Sequence, residues 1–193
     1  HRLAKFSHEI KEDIDQISGV IIPKKTIYEL FKLLSEIDQD VEISISANKI
    51  VFSIGEIIFI SKLIDGSFPD YNRVIPKDNS NTLRINRESL LSAVDRVSTI
   101  SSEKSPVIKF KLFNNILNLN TINNESSTAS EDLKINYRGD EIEIGFNSKY
   151  IMDIVNNLED EEISINLKDN TSPIVALENS NSNLVYVLMP MRV

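Results

Sequence analysis

The sequence predicts an α+β fold made of repeated units, each a short helix followed by antiparallel strands. Apolar and polar residues alternate in several segments, which favours strands, while apolar residues recur at helical spacing in three others. The helical segments begin near residues 23, 86 and 147, at intervals of 63 and 61 residues. Such regular spacing indicates an internal repeat. Because one unit cannot bury both its helix stripe and its sheet face, we expect the units to pair.

Strands are predicted wherever an apolar residue occupies every second position, a pattern typical of a strand with one buried and one wet face. Turns at 47–49 and 138–140 are each expected to join two strands as a hairpin. The stretch 123–131 has almost no apolar residue and is expected to form a loop. The alternating segments are 41–46, 107–112, 116–120, 140–144 and 162–167.

Helices are predicted over 23–37, 86–98 and 147–158. Pro23 suits a first helical turn because the amide it lacks would have no partner there. Asn86 is placed to cap the amides of the second helix. The apolar stripes follow the i, i+3, i+4, i+7 rule. They consist of Ile27, Leu30, Phe31 and Leu34, then Leu90, Leu91, Val94 and Val97, and then Ile151, Ile154, Val155 and Leu158.

The composition excludes several classes of protein. The chain has no cysteine, which excludes disulfides and thiolate chemistry and fits a reducing compartment. Its only histidines, His1 and His8, stand at the N-terminus, which argues against a histidine metal site or a Ser-His-Asp triad. Five glycines are too few and too scattered for a glycine-rich phosphate loop. We therefore expect no catalytic residues, no metal and no cofactor.

The charge is unevenly distributed along the chain. The net charge of −8 taken alone argues against a tight nucleic-acid binder. The predicted helices are nevertheless slightly basic, as expected either for helices that face DNA in an otherwise acidic protein or for ordinary solvated helices. Their bases are Lys24, Lys25, Lys32, Arg87, Arg96 and Lys149.

The chain ends in an unusually apolar stretch over 184–193. Pro190 cannot donate a ladder hydrogen bond, so the last strand should stop before it. Met189 and Met191 are then left near a surface beside Arg192. Methionines suit an adaptable binding groove, although a last core strand with a buried tail would have the same sequence.

Three stretches carry a family resemblance: HRLA at 1–4, SKLIDGSFPDYNRVIP at 61–76 and YVLMPMR at 186–192. In this order they resemble the bacterial β sliding clamp family, the processivity subunit of DNA polymerase III. The family forms ring-shaped homodimers with three similar domains per subunit, helices on the inner, DNA-facing side and sheets outside. The resemblance implies a cytoplasmic, non-enzymatic clamp. It would encircle double-stranded DNA and tether the DNA polymerase III catalytic subunit, the clamp loader and repair proteins.

The resemblance also implies a domain assignment. Residues 1–72 would be the second half of the middle domain, and residues 73–193 would be the C-terminal domain. The N-terminal domain and the first half of the middle domain would be absent from this chain, and we expect it to be a fragment. A generic α+β interaction module without a role at DNA is the alternative interpretation.

Site residues follow by resemblance. Lys24, Lys25, Lys32 and Arg96 would face DNA, and helix charge adds Arg87 and Lys149. Thr99 and Ile100 would meet the other subunit of the ring. A partner-peptide pocket, with His1 at its margin, would consist of Arg2, Leu3, Pro69, Arg73, Val74, Pro173, Val187, Leu188, Met189, Pro190, Met191 and Arg192.

Overall fold

The structure is a computed structural model that describes residues 1–10, 19–101, 106–122 and 127–192. The chain divides into two compact units. The larger unit contains His1–Ile10 and Tyr71–Val193, and the smaller unit contains Lys11–Asp70. The assignment of 1–72 and 73–193 to two family domains stays a prediction. In the described ranges, no helix has the length and apolar character needed to cross a membrane.

The larger unit contains a six-stranded antiparallel sheet that joins the two ends of the chain. Strands are numbered β1 to β13 and helices α1 to α3 in chain order. The sheet has the order β1 (Arg2–Phe6), β13 (Leu184–Leu188), β12 (Ile174–Glu178), β11 (Glu162–Leu167), β5 (Asn81–Asn86) and β9 (Asn136–Tyr137).

A second, four-stranded sheet of the larger unit is a meander extended by one strand. Its order is β10 (Ile142–Asn147), β6 (Val107–Phe113), β7 (Ile116–Ile122) and β8 (Thr128–Lys134). Alternate residues of β6 and β7 are buried, as the sequence pattern predicts. Ala129 and Leu133 of β8 also pack against the core.

Helices α2 (Arg87–Ser98) and α3 (Ser148–Asn156) pack against each other in the larger unit. Each begins where an asparagine side chain accepts hydrogen bonds from first-turn amides. Asn86 Oδ1 lies 2.9 Å from the Ser89 amide, and Asn147 Oδ1 lies 3.0 Å from the Lys149 amide. The buried stripes of both helices join residues of both sheets in one hydrophobic core.

The smaller unit has one helix and one sheet in its described residues, α1 (Lys24–Glu36) with β2 (Glu42–Ile45), β3 (Lys49–Ile54) and β4 (Ile57–Lys62). Alternate residues of β3 are buried. Helix α1 is anchored by a hydrogen bond of 2.6 Å between the hydroxyls of Thr26 and Ser61. Its predicted apolar stripe is only partly covered, because Ile27, Phe31 and Leu34 are exposed.

The predicted α+β fold of helix-plus-strand repeats is confirmed, with helix starts within a residue of those expected. Two local predictions are wrong. The turn 138–140 does not close a hairpin, because β9 pairs with β5 and β10 pairs with β6 in different sheets. The expected loop 123–131 includes part of β8, whose backbone pairs with β7 despite its polar sequence. Residues 123–126 lie outside the described residues. That the helices line an inner side stays a prediction.

Candidate functional site

The start and the end of the described chain lie side by side in the larger unit. Strand β1 pairs with β13, so that Leu3 is opposite Val187 and Arg2 is opposite Leu188. Beyond the ladder, the Met189 amide donates to the His1 carbonyl over 2.9 Å. Arg2 and Leu3 of the predicted pocket, with His1 at its margin, thus adjoin the last strand and the C-terminal tail.

The paired residues alternate between the two faces of the sheet. Leu188 belongs to the hydrophobic core and is 1% exposed, so its side chain helps to hold the sheet in place. Leu3, Val187 and Val175 form a row across three strands on the opposite face. Val187 is also 1% exposed, which leaves Leu3 as the more accessible member of this row.

The Arg2 side chain, on the edge strand β1, contacts helix α3. Its guanidinium carbon lies 4.2 Å from the centre of the Tyr150 ring, and the group also forms an ion pair with Asp153. A cation over an aromatic face is electrostatically attracted to it. These contacts fix the Arg2 side chain between the edge of the sheet and α3.

A cavity of about 380 Å³ lies beside this arginine. Burial raises the pKa of Tyr186 on its wall, so this phenol stays protonated and able to donate a hydrogen bond. The cavity is lined by Arg2, Leu3, Ala4, Asp153, Ile154, Asn157 and Tyr186.

The C-terminal tail leaves the sheet where the sequence predicts. Strand β13 ends at Leu188, and the Met191 amide donates to the Gly145 carbonyl over 2.8 Å. The tail therefore runs from the start of β1 towards β10. Met189 is 39% exposed, Pro190 and Met191 are half-buried, and Arg192 is exposed. These side chains are accessible at the surface of the larger unit.

Arg73 and Val74 lie at a short turn of the larger unit. Tyr71–Arg73 form one turn of 3₁₀ helix, and the Val74 amide donates to the Tyr71 carbonyl over 3.0 Å. The Lys5 ammonium of β1 lies 5.8 Å from the centre of the Tyr71 ring. This contact puts the turn beside the same edge strand that carries Arg2 and Leu3.

The two predicted pocket prolines differ in their surroundings. The Pro173 carbonyl accepts a hydrogen bond of 3.0 Å from the Asn79 side chain, which ties the start of β12 to the segment before β5. Pro69 is exposed and belongs to the smaller unit.

Sequence reasoning missed Tyr150 and Asp153. Both residues belong to α3, which the sequence predicts, but their contacts with Arg2 join positions about 150 residues apart. No local pattern marks a contact between residues so distant in sequence. An aromatic residue and an acid in the first turns of a helix were the only available signal.

Three of the predicted DNA-facing bases are exposed without an ion pair to any residue that the structure describes. These are Lys24 and Lys25 at the start of α1 and Lys149 in the first turn of α3. The Lys32 ammonium lies 4.4 Å from the centre of the Tyr28 ring and 3.8 Å from a Glu29 oxygen.

The two arginines of α2 are paired with acids. Arg87 lies 3.6 Å from a Glu88 oxygen. Arg96 holds Glu131 of β8 through two hydrogen bonds, of 3.0 Å from Nε and 2.6 Å from a terminal nitrogen. A two-point contact of this kind is the strongest that an arginine makes with a carboxylate. The charge of Arg96 is therefore largely balanced within the unit.

Thr99 and Ile100, the predicted ring-interface residues, lie at the end of α2. The Thr99 hydroxyl donates to the Asp95 carbonyl over 3.1 Å, and Ile100 is half-buried. Strand β8, which carries Glu131, is at one end of the four-stranded sheet, so its outer edge has no strand partner among the described residues.

The Arg96–Glu131 pair should make stability depend on pH. Its hydrogen bond to Arg96 lowers the pKa of Glu131 below the ordinary value of 4.5. A carboxyl whose pKa is lowered on folding stabilises the folded state. This stabilisation is fully present above the pKa of the unfolded state and is lost as the pH falls through the pKa of the folded state. We expect Glu131→Gln to lower the urea midpoint at neutral pH, and this deficit to shrink on acidification below about pH 4. A difference in urea midpoint that stays constant across that pH range would contradict a stabilising role of the Arg96–Glu131 pair. Glu141→Gln, which removes the acid of the exposed Lys111–Glu141 pair, is the control.

Among the described residues, no group of three or more histidine, aspartate or glutamate side chains is placed to hold a metal ion. The site is thus an edge-strand surface of apolar, methionine and arginine side chains, suited to contact with an extended peptide. The helix-plus-sheet repeats and this surface agree with the resemblance to the sliding-clamp class.

Comparison with known families agrees with this class. Residues 72–192 match the family described as DNA polymerase III beta subunit, C-terminal domain, and residues 1–70 match the family of its central domain. The chain belongs to the DNA polymerase III beta subunit family.

Relatives and solved structures match the chain along its full length. The beta sliding clamp of Caulobacter vibrioides is 37% identical over 193 residues, and that of Escherichia coli K12 is 36% identical over 192 residues. The chain spans about half the length of these curated relatives, 52% in each case. A sliding clamp from Bartonella birtlesii, solved bound to griselimycin, is 46% identical with a TM-score of 0.96. The match covers 100% of this chain and 52% of that one.

Proposed function

We propose that the chain is part of a sliding clamp that encircles double-stranded DNA and gives processivity to DNA polymerase III. The observation that carries the proposal is the match of 72–192 to the C-terminal domain of the beta subunit. The match of 1–70 to the central domain supports the assignment of 1–72 to part of that domain. The clamp acts by topology as a homodimer, without catalysis and without a cofactor, and works in the cytoplasm.

The partner-peptide pocket lies along the edge strand β1 and the C-terminal tail. Leu3, Val74, Met189 and Met191 offer apolar contacts for side-chain anchors of a peptide. The guanidinium groups of Arg2, Arg73 and Arg192 are suited to backbone carbonyls and acidic side chains. Partner segments of the polymerase catalytic subunit, the clamp loader and repair proteins bind here. Leu188 and Val187 form the buried support of this surface.

The helices supply a weak attraction to DNA. Lys24, Lys25, Lys32, Arg87, Arg96 and Lys149 contribute positive charge in a protein of net charge −8. Because each phosphate contact adds salt-dependent affinity, a ring that must slide needs few of them. The pairing of Arg96 with Glu131 fits this requirement. Thr99 and Ile100 contact the second subunit in the complete ring.

Fluorescence anisotropy with a labelled peptide rich in Gln, Leu and Phe tests the pocket. We expect saturable binding to the 193-residue chain with a dissociation constant of about 10 µM. The double variant Arg73→Ala, Met191→Ala should weaken binding about tenfold or more, since a few anchors dominate peptide affinity. Both side chains lie at the surface, so the variant is expected to fold.

The matched control removes one cation and one apolar side chain elsewhere. Ile122→Ala with Lys134→Ala changes exposed residues of the four-stranded sheet and should bind the peptide as the parent chain does. If the Arg73→Ala, Met191→Ala variant binds the peptide with unchanged affinity, the peptide binds at another surface. If the parent chain does not bind the peptide at all, the generic interaction module is the better description.

A further inference from the structure

A polar hollow lies on the six-stranded sheet, away from the residues discussed above. It has a volume of about 420 Å³ and is formed by β5, β9 and the residues next to them. Leu83 and Ile85, which alternate with its β5 residues, are in the core, so the hollow is on the opposite face of the sheet. It is lined by Ser80, Thr82, Arg84, Asn136 and Arg138.

The strand pairing brings the segment that carries Arg138 next to β5, which carries Arg84. Arg84 is opposite Asn136, and Leu83 is opposite Tyr137. Arg138 directly follows Tyr137, the last residue of β9, and borders the same hollow as Thr82 and Arg84. Two guanidinium groups that border one hollow of this size can hold one small anion between them.

Neither arginine is neutralised by a residue that the structure describes. In the described part of the chain, neither Arg84 nor Arg138 forms an ion pair, and no carboxylate lines the hollow. Asp140 lines an adjoining cavity that Arg138 also borders. On the other side of Arg84, its β11 partner is Ser164, again a hydroxyl. Two unpaired guanidiniums among neutral donors are unexpected in a chain of net charge −8.

We propose that this hollow binds a phosphate group, either free or at the end of a small molecule. Its lining offers two guanidinium forks, two hydroxyls and one side-chain amide. A carboxylate is satisfied by a single fork, whereas the three peripheral oxygens of a phosphate can engage both arginines and a hydroxyl together. A DNA duplex is a poor fit, since it presents phosphates in a long row and this positive surface is confined to one hollow.

Calorimetric titration of the 193-residue chain with inorganic phosphate tests the proposal at low ionic strength. We expect one saturable site with a dissociation constant of about 1 mM or lower. The variant Arg84→Gln, Arg138→Gln should weaken binding about tenfold or more, because it removes the charged donors. Both side chains are exposed, so their loss should leave folding intact.

The smaller unit offers a matched control. Lys49 and Lys62 are register partners on adjacent strands, both exposed. The variant Lys49→Gln, Lys62→Gln also removes two positive charges, but from a surface without the hollow. Its affinity for phosphate should stay within about twofold of that of the parent chain. An equal loss in both variants, or no saturable binding by the parent, would overturn the proposal.

A second titration with adenosine 5′-monophosphate separates the two sources of the group. Equal affinity for the nucleotide and for inorganic phosphate means that the site recognises the phosphate alone. Tighter binding of the nucleotide, lost in the arginine variant, identifies the terminal phosphate of a small molecule as the ligand.

Discussion

Phe110→Ala should lower the free energy of unfolding of the larger unit by about 4 kcal/mol. Phe110 is 1% exposed in the middle of β6, and its register partners are Ile144 and Leu119. Its ring meets the Phe146 ring edge to face, with centroids 5.2 Å apart. Truncation removes this aromatic contact and leaves a cavity between two strands and the helices, where the surrounding backbone cannot close it.

Urea unfolding followed by amide exchange of β6 and β7 measures this loss in the larger unit alone. Phe6→Ala is the matched control, because Phe6 is 63% exposed at the end of β1 and should cost less than about 1 kcal/mol. A loss of similar size in both variants would mean that Phe110 is not part of a tightly packed core.

The local structure around Phe110 follows directly from the sequence. Alternating apolar residues specify β6 and β7, because a strand with one buried face has a period of two. The starts of α2 and α3 are equally local, since Asn86 and Asn147 each satisfy amides of the next turn. Such elements depend on neighbours within a few residues, and the sequence contains all of that information.

The assembly of the sheets depends on contacts that no local pattern encodes. Arg2 and Leu188 are register partners from opposite ends of the chain. Similarly, β9 has only two residues, and its place beside β5 is set by Tyr137, which is buried and donates to the Asp140 carbonyl over 2.6 Å. The family resemblance places Arg2 and the tail in one site, but only the three-dimensional structure identifies Tyr150 and Asp153 as partners of Arg2.

The pairing of charged side chains could not be predicted from local sequence either. Helix composition identifies Arg96 and Lys149 as equivalent bases, yet one forms a two-point pair and the other has no ion pair among the described residues. Glu131, the acid that pairs with Arg96, belongs to a segment that the sequence predicts as a loop. A count of charges on one element therefore misses partners that a neighbouring element supplies.

Helix α1 has an apolar face that the described residues of the smaller unit do not cover. Phe31 is 71% exposed and Ile27 is 47% exposed, one turn apart on the same side of the helix. In the larger unit, α2 and α3 bury their stripes against each other. The smaller unit has no second helix in its described residues. An uncovered face of this size favours association with another apolar surface.

Two copies of this face can cover each other, so we expect the 193-residue chain to self-associate, and a parent chain that stays monomeric would contradict this. Ile27→Glu with Phe31→Glu should then weaken the self-association by about two orders of magnitude. Burial of one large apolar side chain is worth about 2 kcal/mol, and placing a carboxylate at each position adds a desolvation cost. Sedimentation equilibrium over a range of concentrations measures the change. Ile122→Glu is the matched control, because Ile122 is 61% exposed in the larger unit, outside this face. If the control dissociates the chain as strongly as the double variant, then association proceeds through the four-stranded sheet and the α1 face is not its cause.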